Sequence, residues 1–293
     1  MSRTTTLIVG CGYLGRRVGR LLRDRGERVF GTSRKPERSP ELASWGIEAV
    51  LADVLEPGSL DGLPQADRTL YCVGFDRTLG VPIRTVYVDG LRHALGRLMD
   101  RTGKLVYAGS TGVYGQDDGD WVDEKSAVDP RTESGRSCLE AESVVRSYEK
   151  SGLPSTILRF SGLYGPGRIM RREGLLRGEP ILGDPDKWLN LIHIQDAANA
   201  TVAALDRGLP GSLYIVSDDR PVPRSEFYAL AAESLQAQAP RFELPRPGSP
   251  EARREESNKR VSNRRMRDAL GVNLTYPDIT TGVPAAIAAE GSH

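Results

Sequence analysis

The feature that most constrains this chain is a GCGYLG segment at positions 10–15, close to its amino end. It follows the apolar run Leu7–Val9, which predicts a strand, and it opens a segment with helical periodicity. Gly10 permits a tight turn, Gly12 lets a ligand's pyrophosphate approach the backbone, and Gly15 allows close packing of helix on strand. A plain glycine turn is the alternative, but the strand–loop–helix context predicts a dinucleotide site at a helix amino terminus.

Composition is typical of a globular protein and excludes several functional classes. The 293 residues include 40 Lys and Arg against 39 Asp and Glu, so a net charge of +1 gives no general attraction to nucleic acid or anionic membrane. The mixed-charge stretch 251–270 lacks the single sign and aromatics of a nucleic-acid surface. Three cysteines and three histidines are scattered, without the spacing of a disulfide framework or a metal site.

The apolar runs of the sequence indicate the expected cellular location of the protein. No apolar run approaches the roughly 20 residues of a membrane span, and the first residues have too short an apolar run for a signal peptide. We therefore expect a cytoplasmic protein. The terminal segment 291–293 resembles a tag remnant and takes no part in the fold prediction.

Strands and helices alternate through the first 160 residues. Beyond the first strand, further strands are predicted over 28–31, 47–51, 69–73, 104–108 and 156–160, with helices over 86–99 and 139–148. This rhythm predicts an α/β fold, a Rossmann doubly wound parallel sheet covered on both faces. Residues 1–161 are expected to form the NAD(P)-binding Rossmann domain, completed by about 190–220.

Beyond residue 160 the pattern loosens. A strand over 190–194 leads into a helix for which Asp196 is the expected N-cap, and 212–216 and 225–235 predict one more strand and helix. The proline-rich stretch 240–250 is expected to be irregular. A smaller C-terminal substrate-binding lobe is therefore predicted from 162–189 and 221–290.

The end of the second predicted strand indicates which dinucleotide binds. A site that prefers NAD usually carries Asp or Glu about 20 residues beyond the glycine loop, bonded to the ribose 2′-hydroxyl. Here the positions read Ser33, Arg34 and Lys35, with no acid. Arg34 can clamp a 2′-phosphate, Ser33 can donate to it, and Lys35 adds positive charge. We therefore expect NADP rather than NAD, the alternative being a solvated basic turn.

Further motifs occur in a fixed order along the chain: Ala52–Val54, the GSTGVYG segment 109–115, the LRFSGLYGPGR segment 158–168, and Leu191–Ala198. With the glycine loop they make the chain resemble the extended short-chain dehydrogenase/reductase superfamily, of the NAD-dependent epimerase/dehydratase type, over nearly its whole length. The resemblance implies that Asp53 contacts the adenine and that the loop of Tyr114 flanks the nicotinamide. It also implies further cofactor contacts from Tyr13, Leu14, Val73 and Gly74, and a substrate side that includes Tyr164 and Arg168.

The resemblance breaks at the family's proton relay. That relay is a Ser or Thr after the fifth strand, followed by a YxxxK on the next helix. Ser110 fills the first position, but Ser134 stands where the tyrosine is expected and Cys138 where the lysine is expected. A serine hydroxyl is a poor general acid near pH 7, and a neutral thiol supplies no positive charge to assist it. This combination resembles the atypical YeeZ-like subgroup.

Two functions remain open. The first is an NAD(P)-binding oxidoreductase or epimerase-like enzyme acting on a small carbonyl or nucleotide-sugar-like substrate, with Ser110 polarising the substrate oxygen. Tyr114 and Tyr164 are alternative proton donors, and ordinary motif tyrosines otherwise. The second is a non-catalytic NADP-binding sensor or regulatory protein, which the Ser134–Cys138 replacement favours. Superfamily precedent favours redox function by analogy alone. The chain is expected to be a monomer or a homodimer.

Overall fold

A parallel seven-stranded sheet forms the centre of the computed structural model, which describes residues 3–290. Its spatial order is β3-β2-β1-β4-β5-β6-β7, and every neighbouring pair is parallel. The α/β Rossmann prediction is therefore confirmed, while 291–293 lie outside the described residues. The strands are β1 (Thr5–Val9), β2 (Arg28–Ser33), β3 (Glu48–Leu51), β4 (Arg68–Tyr71), β5 (Leu105–Ser110), β6 (Ser155–Phe160) and β7 (Leu213–Val216).

Ten helices complete the described part of the chain. They are α1 (Gly15–Asp24), α2 (Ser39–Ser44), α3 (Gly90–Leu98), α4 (Glu133–Lys150), α5 (Arg172–Leu176), α6 (Ile194–Arg207), α7 (Arg224–Ser234), α8 (Pro250–Arg254), α9 (Arg264–Leu270) and α10 (Ile279–Glu290). The predicted helix over 86–99 is divided, because Thr85–Asp89 form a wider π-helical turn ahead of α3.

A buried apolar core lies on each face of the sheet, and strand alternation decides which helices cover each face. Ile8 of β1 faces the core that contains α1 and α6, while its neighbours Leu7 and Val9 face the core that contains α3 and α4. Successive side chains of a strand point to opposite faces, so a strand covered on both sides reads as a continuous apolar run. This explains the uninterrupted apolar run Leu7–Val9 in β1.

Asp196 is not the cap of α6, which corrects the sequence prediction. His193 occupies the cap position, and its Nδ1 accepts a hydrogen bond from the Gln195 N–H at 3.2 Å. Asp196 lies in the first turn, fully buried, and accepts hydrogen bonds from the backbone N–H groups of Thr275 and Tyr276, each at 2.8 Å. The carboxylate therefore joins the C-terminal segment to the start of α6.

A third apolar core, containing Tyr164 and Phe227, is built by α5, α7, α10 and short strands that follow β6. Helix α9 is an exception within the predicted lobe range, because its Met266 and Leu270 pack into the α1–α6 core of the sheet. The stretch 240–250 is less irregular than predicted, since Phe242–Glu243 pairs with Ile181–Leu182. Within residues 3–290, no helix is both long and apolar enough to cross a membrane.

A buried ion pair connects α4 to β6. The guanidinium of Arg159 donates to both carboxylate oxygens of Glu142, at 2.9 and 2.7 Å, and to the hydroxyl of Tyr114 at 2.7 Å. Both charged side chains are only 6% exposed. A buried pair of this kind can be neutral to stability as a whole, but removal of one partner leaves an uncompensated charge in a low-dielectric interior.

We expect Glu142→Gln to lower the free energy of unfolding by about 3–5 kcal/mol, because Arg159 then remains buried without a counter-charge. Urea unfolding followed by circular dichroism measures the loss. The control is Glu48→Gln, which breaks the exposed Arg28–Glu48 pair and should have little effect. Equal stability of the two variants would contradict this account of the pair.

Candidate functional site

A cleft of about 640 Å³ lies outside the carboxyl ends of strands β1 to β6. In open parallel sheets, ligands bind at this edge, near the point where the strand order reverses. That point lies between β1 and β4 in this protein. The volume falls within the range of roughly 300–1,000 Å³ that is typical of small-molecule sites. The cleft is therefore the candidate site, and its two ends differ in chemistry.

The glycine loop forms the floor of the cleft. Gly10 has φ of +88°, and a Cβ there would lie 2.7 Å from the backbone of Val73. Gly12 lines the cleft, and a Cβ there would have no neighbour closer than 4.0 Å. Gly15 lies behind the loop, where a Cβ would meet Ile8 Cγ2 at 2.9 Å. The first two glycines thus shape the ligand edge, while the third allows α1 to pack on β1.

One end of the cleft is basic. Ser33, Arg34, Lys35 and Arg38 all line it, directly after β2. Asp76 approaches from the loop after β4 and bonds Arg34 at 3.1 Å; hydrogen bonds from Thr78 and then Arg34 hold the pKa of Asp76 below its usual value. Three basic side chains and the acidic Asp76 therefore line or border this end, and Arg38 is also paired with Glu41 at 3.0 Å. Arg38 was missed by the sequence analysis, because it lies beyond the strand on a 3₁₀ turn over 36–38.

The remaining predicted cofactor positions also line the cleft: Tyr13, Leu14, Asp53, Val73 and Gly74. Asp53 is fixed by its own loop, since its Oδ1 accepts a hydrogen bond from the Leu55 N–H at 2.9 Å. The hydroxyl of Tyr13 donates to the carbonyl of Pro166 at 3.0 Å, and the guanidinium of Arg168 lies 5.4 Å from the centre of the Tyr13 ring.

Ser110 and Arg168 mark the other end of the cleft. Ser110 Oγ accepts a hydrogen bond from the Gly112 N–H at 3.0 Å. Ser161, which the sequence analysis did not select, lines the same region; it is buried, and its Oγ has no hydrogen-bond partner among the described residues. A buried hydroxyl without a partner is costly unless a ligand or water completes it. This end therefore offers neutral hydroxyls and one exposed arginine.

Tyr87 is a further cleft residue that sequence reasoning missed. It belongs to the π-helical turn Thr85–Asp89, and its ring meets Phe75 edge to face at 6.3 Å. Burial raises the pKa of Tyr87, with Cys138 adding to the rise; the nearby Phe75 N–H and the charge of Arg168 oppose it. In the sequence, Tyr87 does not belong to the apolar face of the predicted helix, but only the fold shows that this turn borders the cleft.

Tyr114 and Tyr164 lie outside the cleft, contrary to the placement that the resemblance implied. Tyr114 is buried, its hydroxyl donates to the Asp123 carbonyl at 2.7 Å, and burial raises its pKa to about 12. Tyr164 is fully buried in the third core, edge to face with His193. Burial likewise raises the pKa of Tyr164. Both phenols are packing residues here, so neither is placed to act on a ligand in the cleft.

The two replaced relay positions are also outside the cleft. Ser134 is exposed in the first turn of α4, and Cys138 is buried one turn further on. Cys138 packs in an apolar cluster with Val113 and Tyr114, and burial raises its pKa to about 12. The thiol is therefore neutral near pH 7, and the helix presents neither an acid nor a positive charge at these positions.

Comparison with known proteins agrees with this architecture. The chain matches the model of the NAD dependent epimerase/dehydratase family over residues 6–217. It is 29% identical to Protein YeeZ of Escherichia coli K12 over 244 residues, which cover 80% of this chain and 85% of that protein. These matches confirm the resemblance that the motifs indicated.

Solved structures give the same result. A conserved protein of unknown function from Silicibacter pomeroyi is 32% identical with a TM-score of 0.79, covering 98% of this chain and 99% of its own. The Thermus thermophilus UDP-glucose 4-epimerase in complex with NAD has a TM-score of 0.82 at 20% identity, covering 99% of each chain. The second likeness concerns the fold alone.

Two glycine variants separate ligand contact from packing. Gly12→Ala should leave the unfolding midpoint unchanged and weaken dinucleotide binding at least about tenfold, because the new methyl group meets only the cleft. Gly15→Ala should instead cost about 1–3 kcal/mol of stability, because its methyl group meets Ile8. Fluorescence titration and thermal unfolding measure the two effects. Wild-type affinity in a folded Gly12→Ala protein would contradict the assignment of the loop.

Proposed function

The protein belongs to the NAD dependent epimerase/dehydratase family, and on that premise we propose that it is an NADP(H)-linked oxidoreductase of a small carbonyl compound. The observation that carries the proposal is the cleft itself. It places a glycine loop in the middle, a basic wall at one end, and Ser110 with uncommitted hydroxyls at the other. A nucleotide-sugar-like substrate fits the family equally well.

The residues of the cleft fit a dinucleotide. Gly12 and the first turn of α1 would hold the pyrophosphate, and the Asp53 loop would hold the adenosine. The unpartnered, buried Ser161 hydroxyl supports a polar ligand at the far end. When bound, the nicotinamide exchanges a hydride with the substrate carbon, so the protein must orient the substrate and stabilise charge on its oxygen.

Ser110 is suited to polarise that oxygen. Its Oγ already accepts a hydrogen bond from the Gly112 N–H, which leaves the hydroxyl hydrogen available to donate into the cleft. A donor fixed in advance is worth most where charge develops in the reaction, because the site does not have to reorganise. Arg168 adds a positive charge on the same side.

The basic wall supports NADP as the cofactor. A 2′-phosphate carries nearly two negative charges at pH 7, and guanidinium groups bind phosphate with two hydrogen bonds each. Arg34, Lys35 and Arg38 line the end of the cleft where that phosphate is expected; Asp76 pairs with Arg34 at 3.1 Å and Glu41 pairs with Arg38 at 3.0 Å, which leaves one net positive charge. The Thermus thermophilus epimerase of the same fold was solved with NAD, and the proposal of NADP for this chain therefore rests on its own basic wall.

Arg34→Ala and Arg38→Ala should each weaken NADPH binding about tenfold or more while changing NADH affinity little, because only NADPH carries the 2′-phosphate. Fluorescence titration of both dinucleotides measures the difference, with wild type expected to prefer NADPH. Arg97→Ala is the control, since that arginine lies on α3 and pairs with Asp61 at the exposed surface. Equal affinities of the wild type for NADPH and NADH would overturn the cofactor proposal.

Ser110→Ala should lower kcat about 10²-fold with a smaller change in KM, because the lost hydrogen bond matters most when the substrate oxygen is charged. NADPH consumption with a panel of aldehydes, ketones and a nucleotide sugar is the measurement. Ser134→Ala serves as the control, because Ser134 is exposed outside the cleft and should leave the rate unchanged. A rate loss that is equal in both variants would argue against a specific role of Ser110.

A non-catalytic NADP sensor is the second candidate function. It is favoured by one observation: the positions of the family's tyrosine and lysine hold an exposed serine and a buried neutral thiol. The two functions differ in a direct measurement. Tight NADPH binding without consumption on the whole substrate panel would support the sensor and contradict the oxidoreductase.

A further inference from the structure

We propose that Tyr87 is the proton donor of this site and replaces the family's missing tyrosine from a different part of the fold. The proposal rests on the proposed carbonyl reduction and adds the residue that completes it. In the reduction, the O–H bond of the Tyr87 phenol breaks and the O–H bond of the product alcohol forms. The carbonyl carbon takes its two electrons and its hydrogen from the reduced dinucleotide named above, and water then returns a proton to the phenolate.

The first argument is which phenols are free to donate. Tyr13 and Tyr87 both line the cleft, but the Tyr13 hydroxyl already donates to the Pro166 carbonyl. Tyr114 and Tyr164 lie outside the cleft, and their hydroxyls donate to the carbonyls of Asp123 and Asp278. Within the described residues, Tyr87 is the cleft tyrosine whose hydroxyl hydrogen has no protein acceptor.

The second argument is the position of Tyr87. It packs against the apolar cluster that contains Val113 and Cys138, and the turn Thr85–Asp89 packs against α4. Cys138 stands where the family's lysine is expected, and Val113 follows Ser110 by three residues. The Tyr87 ring therefore forms part of the cleft wall beside the helix that should have supplied the tyrosine, and it lines the same cleft as Ser110.

The third argument is the local backbone. Thr85–Asp89 form a π-helical turn, a rare structure that is frequently found at functional sites. Val86 and Val88 on either side of Tyr87 are buried in the protein core. The neighbouring side chains thus fix the turn, and Tyr87 is the residue of this segment that faces the cleft.

The fourth argument is what surrounds the hydroxyl. Burial keeps the phenol protonated at neutral pH, which is the state that a proton donor requires. The Phe75 N–H and the charge of Arg168 both favour the phenolate that remains after transfer. In the family's relay a lysine has this task. Here the Phe75 N–H and the charge of Arg168 offset part of the rise in the Tyr87 pKa that burial causes, without a charged residue at position 138.

Tyr87→Phe removes only the hydroxyl and keeps the ring against Phe75. We expect kcat for carbonyl reduction to fall about 10²–10³-fold, with KM and NADPH affinity within about twofold of wild type, because the group acts on the reacting oxygen. Tyr148→Phe is the matched control, since that tyrosine lies near the far end of α4, outside the cleft. An unchanged kcat in Tyr87→Phe would overturn the proposal while leaving the proposed function intact.

A second readout does not depend on turnover. With tyrosine labelled by ¹³C at Cζ, the NMR signal that is missing from Tyr87→Phe should shift when NADP⁺ is added, while the signal missing from Tyr148→Phe should not. A Tyr87 signal that NADP⁺ leaves unmoved would overturn the proposal. A wild-type protein that consumes no NADPH on the panel would defeat the proposed function itself, so the two failures are distinct.

Discussion

The close approach of the end of β1 to the end of β4 is the constraint on which the ligand edge of this protein depends. Gly10 lies so near Val73 that no side chain fits between them, and its carbonyl accepts a contact from the Cys72 thiol at 3.2 Å. Its N–H donates to the Thr32 hydroxyl at 2.9 Å, which fixes the loop to β2 as well. With the loop held from both sides, the first turn of α1 opens onto the cleft.

The two ends of the cleft differ in charge, and this difference separates cofactor binding from action on a substrate. The end after β2 is exposed and basic, so it can select a phosphate through charge. The other end contains the Ser110 and Ser161 hydroxyls and the single charge of Arg168, while Arg159 behind it is paired with Glu142 inside the protein. Affinity for a cofactor can therefore be set independently of the groups that would act on a substrate.

Local signals in the sequence predicted the elements that depend on local physics. Neighbouring residues were enough to predict the seven strands, the glycine loop and the basic residues 33–35. In the structure the strands form the central sheet, and the loop and the basic residues lie at its ligand-binding edge. Motif resemblance was less reliable for individual side chains. Tyr114 was expected beside the nicotinamide, yet its hydroxyl is bound to Arg159, which is 45 residues away in the chain.

Long-range packing explains the residues whose roles the sequence did not predict correctly. Asp196 is a residue type that often caps helices. In the structure its carboxylate accepts hydrogen bonds from backbone N–H groups 79 and 80 residues further along the chain, and no local sequence pattern indicates such a partner. The sequence did not indicate the role of Tyr87. The apolar spacing of Val88, Leu91 and Leu95 predicted a regular helix, and it gave no sign of a π turn beside the cleft. Both cases concern a side chain whose role depends on a segment that is remote in sequence.

Helix α9 has a consequence for how this chain can be divided. The family match ends at residue 217, yet Met266, Leu270 and Val272 cover part of the sheet core built by α1 and α6. During synthesis, the sheet is therefore left with an uncovered apolar strip until α9 and Val272 have emerged. A fragment cut at the family boundary would keep that strip exposed and would be prone to aggregate, so the domain limits seen in sequence families are not limits of autonomous folding.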